Sequence, residues 1–147
     1  RTGDPKAITF PLAHMTDRAP DFSFSGIKTS VSLHVKRHAP LSVRQVADVA
    51  ASFQAAMVKM LVRKTVKAAL RLGVKRLVLT GGVAANGPLR AGLAAEAVEH
   101  GLTLHVPPPR LCTDNAAMIT AAGTARLAAG ERAPLTLNAL PDMALAV

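Results

Sequence analysis

The longest regular pattern of apolar residues in this chain begins after Ser42. Ser42 followed by Gln45 three positions later is typical of a capping box, in which each side chain accepts a hydrogen bond from the other residue's backbone N–H. Apolar residues then recur at steps of three and four until Gly73, which predicts one long α-helix with a single apolar face. That face consists of Val46, Val49, Phe53, Met57, Met60 and Leu61.

The rest of the chain alternates between strand and helix patterns. Residues 77–80 and 102–106 are short apolar runs, the first ended by two glycines and the second by three prolines, and we predict a strand at each. We expect a helix to follow each strand, because capping residues and a closing glycine frame both segments. The predicted caps and closing glycines are Asn86 with Gly101, and Thr113 or Asp114 with Gly130.

The first forty residues give weaker signals. Residues 1–26 are rich in glycine and proline, and we predict a short strand at residues 7–10. In residues 27–38 the alternation of Val31, Leu33 and Val35 is typical of a strand, whereas the flanking residues frame a short helix. Of these two interpretations we favour the helix.

Two strands joined by a crossover helix are parallel in nearly all proteins, so both strand-to-helix loops leave the same edge of the sheet. Ligands of open α/β sheets bind at that edge, where two helix N-termini also offer backbone N–H groups to an anion. The alternative is that these residues serve only as turn and cap residues. The polar and glycine residues of the two loops are Gly81, Gly82 and Asn86, and Thr113, Asp114 and Asn115.

Composition and charge narrow the function classes. The chain has 147 residues, half of them hydrophobic, and a mean hydropathy of +0.27, which predicts one folded, soluble domain rather than a disordered chain or a membrane span. It has a single cysteine, Cys112, and no secretory leader, which favours the cytoplasm. With no Trp or Tyr, an aromatic platform for base stacking is not expected.

The net charge of +9 is concentrated in residues 41–76, which carry eight cations and only Asp48 as an anion. Four cations follow one another at four-residue steps along the predicted long helix, and we call them the basic stripe. Two interpretations stay open: a solvated helix face, or a track for RNA phosphates. The basic stripe consists of Lys59, Arg63, Lys67 and Arg71.

Three ordered motifs resemble the TsaD (Gcp) family. They are Asp21-Phe-Ser-Phe-Ser-Gly-Ile-Lys-Thr29, Leu79-Thr-Gly-Gly-Val-Ala-Ala-Asn86 and Leu111-Cys-Thr-Asp-Asn-Ala-Ala-Met-Ile119. The members of this family are tRNA N6-adenosine threonylcarbamoyltransferases, and the resemblance extends over residues 3–130. It implies an α/β fold of the ASKHA type, that of actin, sugar kinases and Hsp70, in which two ribonuclease H-like lobes enclose a nucleotide. Family members are about twice as long, so residues 1–147 are expected to form a single C-terminal lobe, with the N-terminal lobe absent from this chain.

The resemblance also implies an activity and a site. The full-length enzyme would transfer the threonylcarbamoyl group from threonylcarbamoyl-AMP to N6 of the adenosine 3′ of the anticodon, in tRNAs that read codons beginning with A. Asn86 would contact the adenylate, and Gly81 and Gly82 would form the floor of its pocket. Asp114 would be the one metal ligand of this half, completed by a His-x-x-x-His pair of the missing lobe, a ligand set that suits iron or zinc.

Partners and alternatives follow from the same resemblance. The expected partners are tRNA, the inactive paralogue TsaB and the ATPase TsaE, and we expect the isolated half to be inactive. The alternative is a non-catalytic, nucleotide-binding or scaffolding paralogue, for which Asp114 would be superfluous. We do not expect metal binding by His34 and His38, which share His-x-x-x-His spacing at a basic helix end, and we expect the remaining histidines to be isolated surface or packing residues. These are His14, His100 and His105.

Overall fold

The computed structural model describes residues 3–11 and 22–139, and the chain divides into two units, Arg1–Cys112 and Thr113–Val147. His14 and Asp21, the first residue of the first motif, lie outside the described residues. The elements of the first unit are α1 (Ser25–His38), α2 (Val43–Arg71), β1 (Arg76–Val78), a short 3-10 helix (Gly82–Ala85), α3 (Gly87–Glu99), β2 (Thr103–His105) and a 3-10 turn (Pro109–Leu111). The second unit contains α4 (Ala116–Ala128).

Helix α2 begins and ends as its sequence predicts. The Ser42 hydroxyl accepts a hydrogen bond from the backbone N–H of Gln45, and the Gln45 side chain accepts one from the backbone N–H of Ser42, so the capping box is confirmed. The helix ends at Arg71, and Gly73 follows with a φ of +67°, a left-handed conformation that favours glycine. The helix at residues 27–38 is also confirmed, as part of α1.

The prediction of a single apolar face along the whole of α2 is wrong, because part of that face is exposed and other residues of the helix are buried. Near its N-terminus, Val49 packs with Phe10 and with Ile27 of α1, whereas Val46 is 53 % exposed. Farther along, Val62 and Val66, which lie outside the predicted face, form a second core cluster with α3. A helix of 29 residues meets different neighbours along its length, so its buried side changes direction.

The second core cluster joins α2, α3 and the sheet. Val62 and Val66 pack against Leu89 and Leu93 of α3, and the partly buried Leu77 and Leu104 of the two strands pack against the same cluster. Gly92 lies where the helices approach: a Cβ atom there would be 3.3 Å from Val62 Cγ2 and 3.4 Å from Val58 Cγ1. Glycine at this position therefore allows α3 to approach α2 closely.

Strands β1 and β2 are parallel neighbours, as predicted, in the register Arg76 with Thr103, Leu77 with Leu104 and Val78 with His105. Each strand has three residues and is shorter than the predicted run. Because α3 connects them, the loop after β1 and the segment after β2 leave the sheet at the same edge.

The two later helices are capped by asparagine. Asn86 accepts a hydrogen bond from the backbone N–H of Leu89, which confirms the predicted cap of α3. The predicted cap of α4 at Thr113 or Asp114 is wrong: Asn115 accepts a hydrogen bond from the backbone N–H of Met118. A cap residue immediately precedes the first helical residue, and α4 begins at Ala116.

Residues 7–10 do not form the predicted strand. Their backbone is instead held by α2, because the Ser52 hydroxyl accepts a hydrogen bond from the N–H of Ile8 and donates one to the carbonyl of Asp4, both at 3.1 Å. Gly3 fits directly against α2, where a Cβ atom would lie 2.0 Å from the carbonyl oxygen of Ala47. A side-chain hydroxyl thus replaces the pairing that a neighbouring strand would supply.

A carboxylate of α2 also holds this segment. The backbone N–H of Asp4 donates to Asp48 at 2.7 Å, and Arg44 forms an ion pair with the same carboxylate at 3.2 Å. The hydrogen bond from the Asp4 N–H holds the pKa of Asp48 below its usual range; desolvation opposes it, and the Arg44 guanidinium lowers the pKa further.

Among the described residues, no helix is both long and apolar enough to cross a membrane.

We expect Ser52→Ala to lower the free energy of unfolding of the full-length protein by about 1–3 kcal/mol, because the partly buried N–H of Ile8 and the carbonyl of Asp4 lose their shared partner. Ser52 is 2 % exposed. Urea denaturation measures the change, and Ser32→Ala on the exposed side of α1 is the control, expected within about 0.5 kcal/mol of wild type. Equal stability of the two variants would contradict this role for Ser52.

Candidate functional site

The loop after β1 is held in one conformation by its own hydrogen bonds. The backbone N–H of Ala84 donates to the carbonyl of Gly81 at 2.9 Å, and that of Asn86 donates to Val83 at 3.0 Å. Gly81 has a φ of +88°, which L side chains rarely adopt, and Ala84 is completely buried. The sequence predicted only an irregular loop here, but residues 82–85 form a 3-10 helix that leads directly into Asn86.

The Asn86 side chain is fixed at both ends. Its Oδ1 accepts from the backbone N–H of Leu89 at 3.0 Å, and its Nδ2 donates to Gln54 Oε1 on α2 at 3.2 Å. The amide nitrogen has two protons, so one N–H donor is still available in a fixed position. The contact with Gln54 was not predicted, because 32 residues separate the partners in sequence.

The N-terminus of α3 offers fewer donors than the sequence analysis assumed. Pro88 has no N–H, the N–H of Leu89 binds Asn86 Oδ1, and that of Arg90 binds the carbonyl of Asn86 at 3.1 Å. Of the first four helical residues, only Gly87 has a backbone N–H without a partner in the part of the chain that the structure describes. An anion at this helix end would therefore depend mainly on the Gly87 N–H and the Asn86 amide.

A groove runs between α2 and α3 within the first unit. Its floor is apolar and includes Val58, Val62 and Val66 of α2. Lys59, Arg63 and Lys67, three members of the basic stripe, line its α2 side. Asn86 lies in the wall on the α3 side, so the predicted substrate residue and the basic stripe share one surface. All four members of the basic stripe, including Arg71, are exposed, as predicted.

Arg90 of α3 joins the two segments that follow the strands. Its Nε donates to the carbonyl of Ala84, and its terminal nitrogen donates to the carbonyl of Pro107 at 3.3 Å and to Cys112 Sγ at 3.4 Å. Cys112 is buried, with 3 % of its surface exposed. The sequence analysis missed Arg90, although a cation next to two buried leucines on a short helix was a signal.

Asp114, the predicted metal ligand, lies in the second unit, two residues before α4. Its side chain is exposed, and it makes no hydrogen bond or ion pair within residues 113–139. Its neighbour Asn115 caps the helix and donates to the carbonyl of Thr113 at 2.9 Å. The convergence of Asp114 with Gly81, Gly82 and Asn86 on one cleft stays a prediction.

Of the histidines predicted to be surface or packing residues, His105 is exposed, whereas His14 lies outside the described residues. The rings of His34 and His38 stack with centroids 4.3 Å apart, so their in-plane lone pairs do not converge on one ion. His100 lies on the surface, as predicted, but it is not isolated. Its Nδ1 bonds the carbonyl of Glu96 at 3.0 Å, and ligand atoms of Glu96, Glu99 and His100 lie within 4.8 Å of one another. This cluster is largely exposed, since α3 ends in solvent there.

Comparison with known proteins identifies relatives along the whole chain. Residues 1–121 match the sequence profile of the TsaD family, described as tRNA N6-adenosine threonylcarbamoyltransferase. A protein of that name from Symbiobacterium thermophilum is 52 % identical over 147 residues, which are 100 % of this chain and 43 % of the relative. Another from Anaeromyxobacter dehalogenans strain 2CP-1 is 53 % identical over 142 residues, which are 96 % of this chain and 42 % of the relative. The chain thus spans about two fifths of the length of these relatives.

We expect alanine to act differently at the two glycines of the loop. Gly81→Ala forces an L residue to a φ of +88° and should destabilise the full-length protein by roughly 1–2 kcal/mol. At Gly82 a Cβ atom meets nothing within 4 Å, so Gly82→Ala should keep wild-type stability. If Gly82 forms the floor of a nucleotide pocket, Gly82→Ala should nevertheless weaken AMP binding, because its methyl group keeps the ligand from the backbone.

Urea denaturation and calorimetric titration with AMP measure the two effects. Wild-type AMP affinity in Gly82→Ala would remove Gly82 from the pocket floor, and wild-type stability in Gly81→Ala would contradict the strained conformation.

Proposed function

The chain belongs to the family of tRNA N6-adenosine threonylcarbamoyltransferases, and from this membership we propose that it forms the C-terminal, nucleotide-binding lobe of such an enzyme. The observation that carries the proposal is the loop of residues 81–86, which follows a parallel strand, is held rigid by its own hydrogen bonds and lies beside a basic groove. Such loops bind ligands at the carboxyl edge of parallel sheets. An ASKHA architecture, in which a second lobe closes over the nucleotide, belongs to the same proposal.

In the proposed reaction the full-length enzyme transfers a threonylcarbamoyl group to tRNA in the cytoplasm. N6 of the adenosine 3′ of the anticodon, in tRNAs that read codons beginning with A, forms a bond to the carbamoyl carbon of threonylcarbamoyl-AMP. The bond from that carbon to the phosphate oxygen breaks, AMP leaves with the electron pair, and N6 loses one proton. The isolated lobe holds part of the nucleotide site only and is inactive on its own.

In this reaction the loop of residues 81–86 binds and orients the adenylate. Asn86 presents one Nδ2 proton from a side chain that Leu89 and Gln54 already hold, so little side-chain entropy is lost on binding. The backbone at Gly81 and Gly82 has no side chain in the way of a ligand. The loop is therefore arranged for its ligand before the ligand arrives.

The chemistry and exposure of Asp114 are those of a metal ligand. Its carboxylate is exposed and is not consumed by helix capping, since Asn115 takes that position. One carboxylate together with two histidines of the N-terminal lobe would hold iron or zinc, and such an ion supplies Lewis-acid polarisation of a bound carbonyl. A scaffolding paralogue has no use for this carboxylate, which favours the enzyme over the non-catalytic alternative.

The basic stripe forms the proposed grip on tRNA. Lys59, Arg63 and Lys67 line the groove that also contains Asn86, so a phosphate backbone along α2 passes close to the adenylate loop. Phosphate contacts position a nucleic acid without reading its bases, which suits a reaction at one adenosine of several tRNAs. TsaB and TsaE complete the proposed set of partners.

We expect Asp114→Ala in the full-length protein to remove bound metal and transferase activity together, because one of few ligands is lost. Elemental analysis and a threonylcarbamoyl transfer assay measure the two. Glu131→Ala removes another exposed carboxylate of the second unit and is the matched control, expected to keep both properties. Normal metal content in Asp114→Ala would show that Asp114 is not a ligand, and a wild-type protein without metal or transfer would favour the scaffolding alternative.

Replacing Lys59, Arg63 and Lys67 with glutamine should weaken tRNA binding and flatten its salt dependence. Each lost phosphate contact lowers the slope of log K against log salt concentration by about 1, so three contacts predict a change of about 3. The control variant replaces Lys28, Lys36 and Arg37 of α1, which removes the same charge from another exposed surface. Equal slopes of log K against log salt concentration for the two variants would show that the basic stripe is only a solvated helix face.

A further inference from the structure

Arg90 has a bonding pattern that neither helix stability nor charge balance explains. It lies in the first turn of α3, where a cation opposes the helix dipole, and the described residues give it no carboxylate partner. Its guanidinium instead bonds two backbone carbonyls and one thiol, and its side chain is half-buried. The role of this arginine is therefore to hold in place the three groups that accept its hydrogen bonds.

The acceptors belong to the two segments that leave the same edge of the sheet. Ala84 lies in the 3-10 helix after β1, two residues before Asn86. Pro107 and Cys112 lie after β2, and Cys112 Sγ also lies 3.6 Å from the carbonyls of Pro107 and Pro108. Cys112 is the last residue of the first unit.

The shape of the side chain matters as much as its charge. A guanidinium is planar and presents five N–H donors in a rigid fork, so one group can bond acceptors on two sides at once. A lysine ammonium is a compact charge on a flexible stem and does not reproduce this geometry. Ala84 is completely buried and its carbonyl is bonded by Arg90, which makes the arginine part of the loop's construction.

We propose that Arg90 is a positioning residue for threonylcarbamoyl transfer, which ties the adenylate loop of residues 81–86 to the segment of residues 107–112. The proposal rests on the proposed function, because it assumes that the first loop binds the adenylate. Arg90 acts through Asn86 and the loop backbone and does not itself touch the substrate. Its loss therefore changes how well the two segments are held relative to each other.

The test compares Arg90→Lys with Arg44→Lys in the full-length protein. Arg44 is an exposed arginine at the start of α2 that pairs with Asp48, so its variant makes the same chemical change far along α2 from Gln54 and the loop. For Arg90→Lys we expect kcat/KM for threonylcarbamoyl-AMP to fall roughly tenfold to a hundredfold, with the KM for tRNA unchanged. Arg44→Lys should keep wild-type kinetics.

A second readout is independent of catalysis. The Cys112 thiol is buried, so its alkylation by iodoacetamide, followed by mass spectrometry of the peptide that contains it, reports on the segment of residues 107–112. Arg90→Lys should accelerate this alkylation by about tenfold, because the segment opens more often. Faster alkylation with wild-type kinetics would make Arg90 a structural residue only and overturn the proposal, as would wild-type values for both.

The wild-type protein provides a test that does not need a folded variant. If Arg90 couples the segments, AMP binding should slow amide hydrogen exchange both in residues 84–86 and in residues 110–112, because the three preceding prolines have no amide hydrogen. Protection confined to residues 81–86 would overturn the coupling. If the wild-type protein binds AMP but transfers nothing to tRNA, the proposed function fails, while the exchange and alkylation results still decide whether Arg90 joins the segments.

Discussion

The close packing of α3 against α2 at Gly92 is the constraint on which the second core cluster and the candidate site depend. A side chain there would press on Val58 and Val62, so the absence of one sets the separation of the helices. At that separation the core cluster of Val62, Val66, Leu89 and Leu93 closes above the two strands. It also brings Asn86, at the start of α3, within hydrogen-bond distance of Gln54 on α2. The candidate site is thus a result of helix packing as much as of loop sequence.

Local signals in the sequence correctly predicted where α2 and α3 begin. The caps at Ser42 and Asn86 depend on partners three residues away, and the left-handed glycines end a helix within one turn. Because all the residues that take part are close in sequence, a short stretch of sequence is enough to predict these features. The parallel pairing of the strands followed from the rule that two strands of one sheet joined by a crossover helix are parallel. The family, the loop glycines and the position of Asn86 on that loop were recognisable from the same stretches.

Most features that sequence analysis missed depend on distant partners. Residues 3–11 find their hydrogen bonds on Ser52 and Asp48, more than forty positions away, so a strand pattern there was misleading. The contacts of Arg90 with the segment after β2 depend on the packing of α3. The α4 cap was a local error, since three successive polar residues each had the chemistry of a cap and only the start of the helix distinguishes them.

Gly92 and Gly81 show that glycine can be favoured for two unrelated reasons. At Gly92 the limit is volume, because added atoms would meet valines. At Gly81 there is space around the residue, and the limit is the φ of +88°. The mirror image of that angle is ordinary for an L residue, so a D-alanine introduced at Gly81 by chemical synthesis would adopt it without strain. At Gly81 the backbone therefore restricts the handedness of the residue, whereas at Gly92 the helix contact restricts the size of its side chain.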